Sequence, residues 1–307
     1  MLSPLYSVII PVFNSETTLE ELCGRIISLF ENMNLRVEIL MINDGSKDGS
    51  WAKIKELCQK HTGNVRGINL THNCGQHKAL LCGIRESKGD FAITIDDDLQ
   101  YHPEDIAKLI SNQRETCADI VYGVYAQKKH SLLRNAGSRM VANIFQKYAH
   151  IPQKGSSFKL VTRHVMDHVK DYNHPYVFLD EVLGWYSRQT TCETVRHEDR
   201  KSGTSGYNVF KLVSYTFQII LSYTTLPLRL ITWFGLMAFF VCLGFIIYFI
   251  YQKYTYGAEI GFTALIVSII MSTGLILFCI GIIGEYLSRL FLIQTDKPLF
   301  IIKEKIA

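Results

Sequence analysis

Three consecutive carboxylates, Asp96-Asp97-Asp98, are the residues of this sequence best suited to carry chemistry. Adjacent acids repel one another, and folding alone gives no reason to collect them. A divalent cation gives one, because Mg²⁺ prefers oxygen ligands and keeps part of its coordination shell for substrate phosphates. Asp96 and Asp98 can both approach one ion where a strand bends into a loop. The pattern predicts a Mg²⁺ or Mn²⁺ site on these two residues, against the alternative of a solvated acidic turn.

The residues around the acids predict where they lie in the fold. The apolar run 91–95 predicts a buried strand, and Pro103, followed by two acids, is typical of a helix start. The acids thus follow the carboxyl end of a strand, the edge at which open α/β sheets bind ligands. Apolar β-branched runs alternate with helical periodicity from Tyr6 onward. The sequence therefore predicts a doubly wound, Rossmann-like α/β domain over residues 1–208.

Polar motifs also follow the earlier predicted strands. Pro11-Val12-Phe13-Asn14 ends the first strand, and Ile42-Asn43-Asp44-Gly45 ends the second. The segment Asn73-Cys74-Gly75-Gln76-His77-Lys78 places a glycine before a helix, where backbone amides can approach a phosphate or a base. The polar residues at these strand ends suit contacts with a nucleotide. For Asp44 taken alone, the alternative to a nucleotide contact is that its side chain caps a glycine turn.

The motif Asp-x-Asp-Leu-Gln, followed by Pro103, resembles the metal motif of inverting family-2 glycosyltransferases with the GT-A fold. The closer resemblance is to polyprenyl-phosphate glycosyltransferases, the relatives of dolichol-phosphate mannose synthase and of GtrB- and ArnC-type bacterial enzymes, and it covers nearly the whole chain. It implies inverting transfer of a sugar from a nucleotide diphosphate sugar to a polyprenyl (undecaprenyl-type) phosphate, for synthesis or modification of cell-surface glycans. Homo-oligomers are a further family expectation.

The resemblance also assigns nucleotide-binding roles. Pro11 and Phe13 shape the base pocket in this family, and Asp44 accepts a hydrogen bond from the base or ribose. Ser15 stands where the family often has Glu. The nucleotide-binding candidates are Pro11, Val12, Phe13, Ser15, Ile42, Asp44, Lys78, Asp96 and Asp97.

Cations and a serine complete the expected site. The segment from Arg200 to Tyr207 resembles the loop that closes over the sugar diphosphate, although Gly206 replaces its second cation. Tyr125 stands where dolichol-type enzymes have an Arg, and Lys128 or Lys129 is expected to substitute. The candidates for contacts with phosphates and acceptor are Lys128, Lys129, Arg200, Lys201 and Ser205. The catalytic candidates are Asp96, Asp98, Ser157, Lys159 and Arg200.

The nature of the acceptor decides whether a base is needed. Ser157 stands where many bacterial members have Asp. A phosphate acceptor, with a second pKa of roughly 6, is already mostly ionised and needs cations for positioning. A saccharide hydroxyl would need a base, and Asp180 or Glu181 is the alternative candidate for that role. A degenerate, non-catalytic membrane scaffold is a third hypothesis.

The carboxyl-terminal third is strongly apolar and predicts membrane attachment. Residues 230–251 and 262–284 carry no charge, and each is long enough to cross a hydrocarbon core of roughly 30 Å. Residues 209–229 predict an interfacial amphipathic helix. Residues 285–307 predict a tail with a strand at 298–302. Three lysines in the tail place both termini in the cytoplasm by the positive-inside rule, in a multi-pass protein of the inner membrane.

Charge and cysteine content indicate which partners and which cellular compartment the sequence suits. The formal net charge of +4 is too small to indicate a nucleic-acid partner. Eight cysteines occur without a Cys-x-x-Cys pair, which predicts reduced thiols in a domain facing the cytosol.

Overall fold

The computed structural model describes residues 3–125, 156–175, 177–196, 226–256, 261–295 and 297–306. The chain forms two compact units: Met1–Gly206 together with Lys297–Ala307, and Tyr207–Asp296. Several predicted features lie outside the described residues, namely Lys128, Lys129, Arg200, Lys201, Ser205 and nearly all of the interfacial helix 209–229.

The first unit is built on one mixed sheet. Its strands in the described residues are β1 (Leu5–Val12), β2 (Arg36–Asn43), β3 (Val65–Leu70), β4 (Phe91–Thr94), β5 (Ile120–Val124), β6 (Lys159–Thr162), β7 (Thr190–Thr194) and β8 (Ile302–Ile306). The spatial order is β7-β5-β6-β4-β1-β2-β3-β8. Strands β4, β1, β2 and β3 run parallel, so their carboxyl ends meet at one edge. Strand β6 runs antiparallel between β4 and β5, and β8 runs antiparallel beside β3.

Helices cover both faces of this sheet. They are α1 (Leu19–Asn32), α2 (Ser50–Lys60), α3 (Gln76–Glu86), α4 (Ile106–Thr116), α5 (Arg163–Lys170) and α6 (Leu179–Tyr186), with a 3₁₀ turn at Pro103–Asp105 before α4. Successive β1 residues alternate between two cores: Val8 and Ile10 pack with α1, α2 and α4, whereas Ile9 packs with α3, α5 and α6. The doubly wound α/β domain is therefore confirmed.

The second unit contains two long helices that contact each other, α7 (Leu226–Tyr256) and α8 (Phe262–Gln294). They contain the predicted spans 230–251 and 262–284 and extend beyond them. By length and composition, one stretch of the described residues, Met271–Gln294, suffices to cross a membrane; Ile231–Phe245 is apolar but shorter. The structure thus gives one qualifying helix where the sequence predicted two spans.

The tail returns to the sheet of the first unit. Strand β8 occupies Ile302–Ile306, further along the chain than the predicted strand at 298–302. It pairs with β3, which would otherwise be the edge strand at this side of the sheet.

Candidate active site

A cleft of ≈ 250 Å³ opens at the carboxyl ends of the parallel strands, as expected for an open α/β sheet. Its lining contains Pro11, Val12, Phe13, Asp44, Asn73, Gly75, Gln76, Asp96, Asp97 and Asp98. The structure therefore brings together most of the predicted nucleotide and metal residues. The cleft also contains Asn73, Gly75 and Gln76, which belong to the recognised segment before α3 but had no individually predicted roles.

Asp44 holds the loop between β3 and α3. Its Oδ1 accepts a hydrogen bond from the Cys74 amide at 2.7 Å, and its Oδ2 accepts one from the Gly75 amide at 2.9 Å. Burial raises the pKa of Asp44, although both amides oppose the rise. The next residue, Gly45, has a φ of +67°, and a Cβ there would stand 2.6 Å from the Asn73 nitrogen. The two loops thus meet backbone to backbone, a contact that only glycine permits.

Asp96 receives hydrogen bonds from two neutral side chains. Gln76 Nε2 donates to Oδ1 at 2.6 Å, and Ser157 Oγ donates to Oδ2 at 2.5 Å. Burial raises the pKa of Asp96 to about 6, and the neighbouring charges of Asp98 and Asp97 act in the same direction against the Ser157 bond. Ser157, one of the predicted catalytic residues, therefore lies at the acid cluster.

Asp97 fixes the loop after β1. Its Oδ2 accepts from the Phe13 amide at 3.0 Å, and its carbonyl accepts from Thr18 Oγ1 at 2.5 Å. Phe13 remains 46% exposed at the rim of the cleft, where an aromatic face can stack on a base. The backbone amide of Ser15, in the same loop, donates a hydrogen bond to Ser50 Oγ at 2.9 Å.

The bend after the acids orients Asp98. Leu99 is buried in a left-handed conformation, with a φ of 58°, which is uncommon for a residue other than glycine. Asp98 Oδ1 accepts a hydrogen bond from the Gln100 amide at 3.1 Å across this turn, and the side chain lines the cleft.

The oxygen donors of this cleft suit a divalent cation that is shared with a substrate. Among the described residues, no three His, Cys, Asp or Glu side chains converge as a complete metal cage. Mg²⁺ is commonly held by one or two carboxylates together with waters and substrate phosphates, so two aspartates are an adequate protein contribution. Burial is the main cause of the raised pKa of Asp96, and the charges of Asp98 and Asp97, which such a cation would balance, add to it.

Seven of the predicted site residues that the structure describes do not line the cleft: Ser15, Ile42, Lys78, Ser157, Lys159, Asp180 and Glu181. Ile42 is buried in the core against α3, and Lys78 is half-buried on α3, where its charge acts on Asp44. Lys159 is 1% exposed, and its Nζ donates to the carboxylate of Asp180, itself 7% exposed. The ammonium of Lys159 also lies 5.6 Å from the centre of the Tyr122 ring.

Glu181 is a buried acid of a different kind. It is 3% exposed, its Oε1 accepts from the Trp185 indole at 3.1 Å, and its Oε2 has no hydrogen-bond partner in the described part of the chain. Burial raises the pKa of Glu181 to about 7.

A doubly wound sheet with an acidic cleft at the carboxyl ends of its strands is typical of a nucleotide-binding domain. Residues 7–169 match the family described as Glycosyl transferase family 2, and residues 226–290 match the GtrB C-terminal hairpin. Since the first match spans more than half of the chain, the protein belongs to glycosyl transferase family 2. The resemblance inferred from the motifs is confirmed.

Named relatives and solved structures agree with this assignment. The chain is 28% identical to the undecaprenyl-phosphate 4-deoxy-4-formamido-L-arabinose transferase of Aeromonas hydrophila, over 98% of this chain and 93% of the relative. The corresponding transferase of Shewanella sediminis is also 28% identical, over 97% and 91%. The mannosyltransferase PcManGT from Pyrobaculum calidifontis, solved with GDP-Man and Mn²⁺, has a TM-score of 0.51 at 14% identity, over 74% of this chain and 65% of that one. Glucosyl-3-phosphoglycerate synthase of M. tuberculosis has a TM-score of 0.50 at 17% identity, over 71% and 78%. The two structures support the GT-A, Rossmann-like fold.

Proposed function

We propose that this chain transfers a sugar from a nucleotide diphosphate sugar to a polyprenyl phosphate at the cytoplasmic face of a membrane, by a single inverting displacement. The observation that carries the proposal is the cleft in which Asp96 and Asp98 lie beside Asp44 and the amide-bearing loop before α3. These residues suit a nucleotide diphosphate, because two aspartates can share a divalent cation with its phosphates and the loop borders space for its base and ribose.

Different residues of the cleft contact different parts of this ligand. Phe13 offers an exposed aromatic face to the base. Asp44 binds the loop that contains Asn73 and Gly75 and so keeps this loop at the cleft. A divalent cation on Asp96 and Asp98, Mg²⁺ or the Mn²⁺ found in the similar mannosyltransferase, would neutralise the departing diphosphate. Gln76 and Ser157 orient the Asp96 carboxylate from two sides.

A phosphate acceptor agrees with the state of the α6 acids. Asp180 is bonded to Lys159, so its charge is already balanced, and Glu181 is buried against Trp185. Neither acid lines the cleft, where a base for an acceptor hydroxyl would have to reach the substrate. An already ionised phosphate needs only cations, which we assign to Arg200 and Lys201 with Lys128 or Lys129.

The carboxyl-terminal hairpin suits a lipid acceptor. The match of residues 226–290 to the GtrB hairpin, the apolar stretch Met271–Gln294 and the full-length relatives named for undecaprenyl phosphate all support attachment to a membrane. We assign both α7 and α8 as membrane spans in the inner membrane, with both termini in the cytoplasm. Holding the lipid phosphate beside the sugar would convert a bimolecular encounter into proximity.

The test is product formation by the purified full-length chain. The protein is incubated with Mn²⁺ or Mg²⁺, a panel of nucleotide diphosphate sugars and undecaprenyl phosphate, and the products are separated and weighed by mass spectrometry. Undecaprenol, which lacks the phosphate, is the matched control. A glycosyl phosphate lipid with one donor, and no glycosylated undecaprenol, is the expected result. Transfer to a saccharide with no lipid product from any donor would contradict the proposal.

A further inference from the structure

The tail strand β8 extends its pairing as far as the loop that borders the cleft. Strand β8 is antiparallel to β3, with Asn69 opposite Glu304 and a register shift before the last pair, Leu70 and Ile302. Beyond the strand, the Thr71 amide donates to the Ile301 carbonyl at 3.0 Å. The tail therefore binds the first residue after β3.

Side chains anchor this tail to the helices on both faces of β3. Leu299 is 5% exposed in the core beneath α3, and the Arg85 guanidinium lies 5.3 Å from the centre of the Phe300 ring. On the α2 side, Glu304 accepts from the Trp51 indole at 3.2 Å and from Lys55 at 3.0 Å. An edge strand held from two sides is an integral part of the domain, with a defined register.

The loop that starts at Thr71 ends in the cleft. Its Asn73 nitrogen packs against Gly45, and the amides of Cys74 and Gly75 are bonded to Asp44. Asn73 and Gly75 line the cleft. Five residues thus connect the tail, at Thr71, to the nucleotide pocket, at Gly75.

We propose that the tail strand β8 is a positioning element of the nucleotide site: by fixing Thr71 it sets the loop of residues 71–75 against Asp44 and so determines affinity for a nucleoside diphosphate. The identity of that ligand rests on the function proposed above, whereas the coupling between tail and loop does not. The tail thereby becomes a part of the donor site that lies more than 200 residues away in the sequence from Thr71.

Amide exchange in the full-length chain tests the coupling without any ligand. Leu299→Ala removes the buried anchor of the tail, Leu299→Met retains its volume, and Lys305→Gln is the control on the same strand, since Lys305 bonds only the outer Glu86 in the described contacts. We expect exchange at Cys74 and Gly75 to accelerate about tenfold or more in Leu299→Ala, a change equivalent to about 1.4 kcal/mol of local opening. The other two variants should stay within about twofold.

The exchange of residues 8–12, at the centre of the sheet, separates local from global effects. Unchanged exchange there, with a faster loop, supports the proposal. Faster exchange of the tail amides with an unchanged loop overturns it. If Leu299→Ala loosens the whole sheet, Glu304→Ala decides instead, since it removes only the part-buried contacts to Trp51 and Lys55 and should accelerate the loop by a smaller factor. An unchanged loop beside a faster tail in that variant also overturns the proposal.

Binding of UDP and of GDP, each with Mn²⁺, gives the functional readout. We expect the Kd of whichever probe binds to rise about five- to tenfold in Leu299→Ala and to recover in Leu299→Met. The KM for undecaprenyl phosphate should stay within about twofold, which would confine the effect to the donor site. An inactive fraction of the protein would instead lower Vmax and the amount of nucleotide bound, and would leave both the Kd and the KM unchanged. An increased lipid KM with unchanged nucleotide affinity contradicts the proposal. If no sugar lipid forms at all, the acceptor assignment fails, while exchange and nucleotide binding still report on the tail.

Discussion

Two groups of acids in the same domain have opposite surroundings. In the cleft, Asp96 accepts hydrogen bonds from the neutral groups of Gln76 and Ser157. On α6, Asp180 accepts from the cation of Lys159, and Glu181 is buried beside an indole. Neutral donors orient a carboxylate but leave its charge to be balanced by a ligand. A buried lysine already balances the charge of Asp180, and burial raises the pKa of Glu181 to about 7, so the cleft acids are suited to bind a cation and the α6 acids are not.

The largest effect is expected when the ion pair between Lys159 and Asp180 is broken. Lys159→Met leaves Asp180 buried without its cation, and we expect the free energy of unfolding to fall by about 3–5 kcal/mol. Denaturant unfolding of the full-length chain in detergent measures it. The double variant Lys159→Met, Asp180→Leu should recover most of the loss. If Lys159→Met unfolds like the wild type and only turnover is lost, Lys159 is catalytic, as its place among the catalytic candidates predicted.

Next in size is the loss of one charge from the cleft. Asp98→Asn should lower kcat about 10²–10³-fold, because the cation that stabilises the leaving diphosphate is held less well, while unfolding is unchanged. Asp90→Asn is the matched control, since Asp90 accepts from the Leu5 amide at the other end of β1. Activity of Asp98→Asn that is near normal and resists EDTA would exclude this residue from the metal site.

Glu181 predicts a pH dependence of stability. Its folded pKa of about 7 lies above the ordinary 4.5, so the folded chain keeps a proton that the unfolded chain releases. The free energy of unfolding should therefore decrease as the pH rises from about 4.5 to 7, by about 3 kcal/mol in total, and then level off. Glu181→Gln should remove this contribution. Equal slopes for wild type and variant between pH 5 and 8 would show that Glu181 is ionised throughout.

The smallest effect concerns Asp44. Asp44→Asn retains one acceptor for the two amides and loses the charge, so we expect the KM for the nucleotide sugar to rise about tenfold with little change in kcat. Initial rates at varied donor concentration measure this. A fall in kcat at constant KM would place Asp44 in the reaction and not in donor binding.

Local patterns account for what the sequence predicted correctly. Alternating strand and helix periods gave the doubly wound domain, and acids after apolar runs placed Asp44 and Asp96 at the carboxyl ends of two strands. These signals depend only on neighbours in the chain. The Asp-x-Asp motif could be found in the same way.

Long-range pairing accounts for what the sequence could not predict. Ser157 reaches Asp96, 61 residues away, because β6 runs antiparallel beside β4. The pairing of Lys159 with Asp180 depends on which helix covers which strand, and the residues next to Lys159 in the sequence do not show that this lysine is buried. Gln76 follows a recognised glycine, but its contact with Asp96 requires α3 to pack over β1 and β2, next to β4 in the sheet.

The formation of sugar lipid by two variants tests the central claim that the acceptor is a phosphate. With a fixed nucleotide sugar and undecaprenyl phosphate, Arg200→Ala should lose a charge-assisted contact and about ten- to a hundredfold in rate. Glu181→Gln should keep its rate within about threefold, because an ionised phosphate needs no base. An inactive Glu181→Gln beside a nearly normal Arg200→Ala would contradict the account and establish a base-dependent transfer to a hydroxyl.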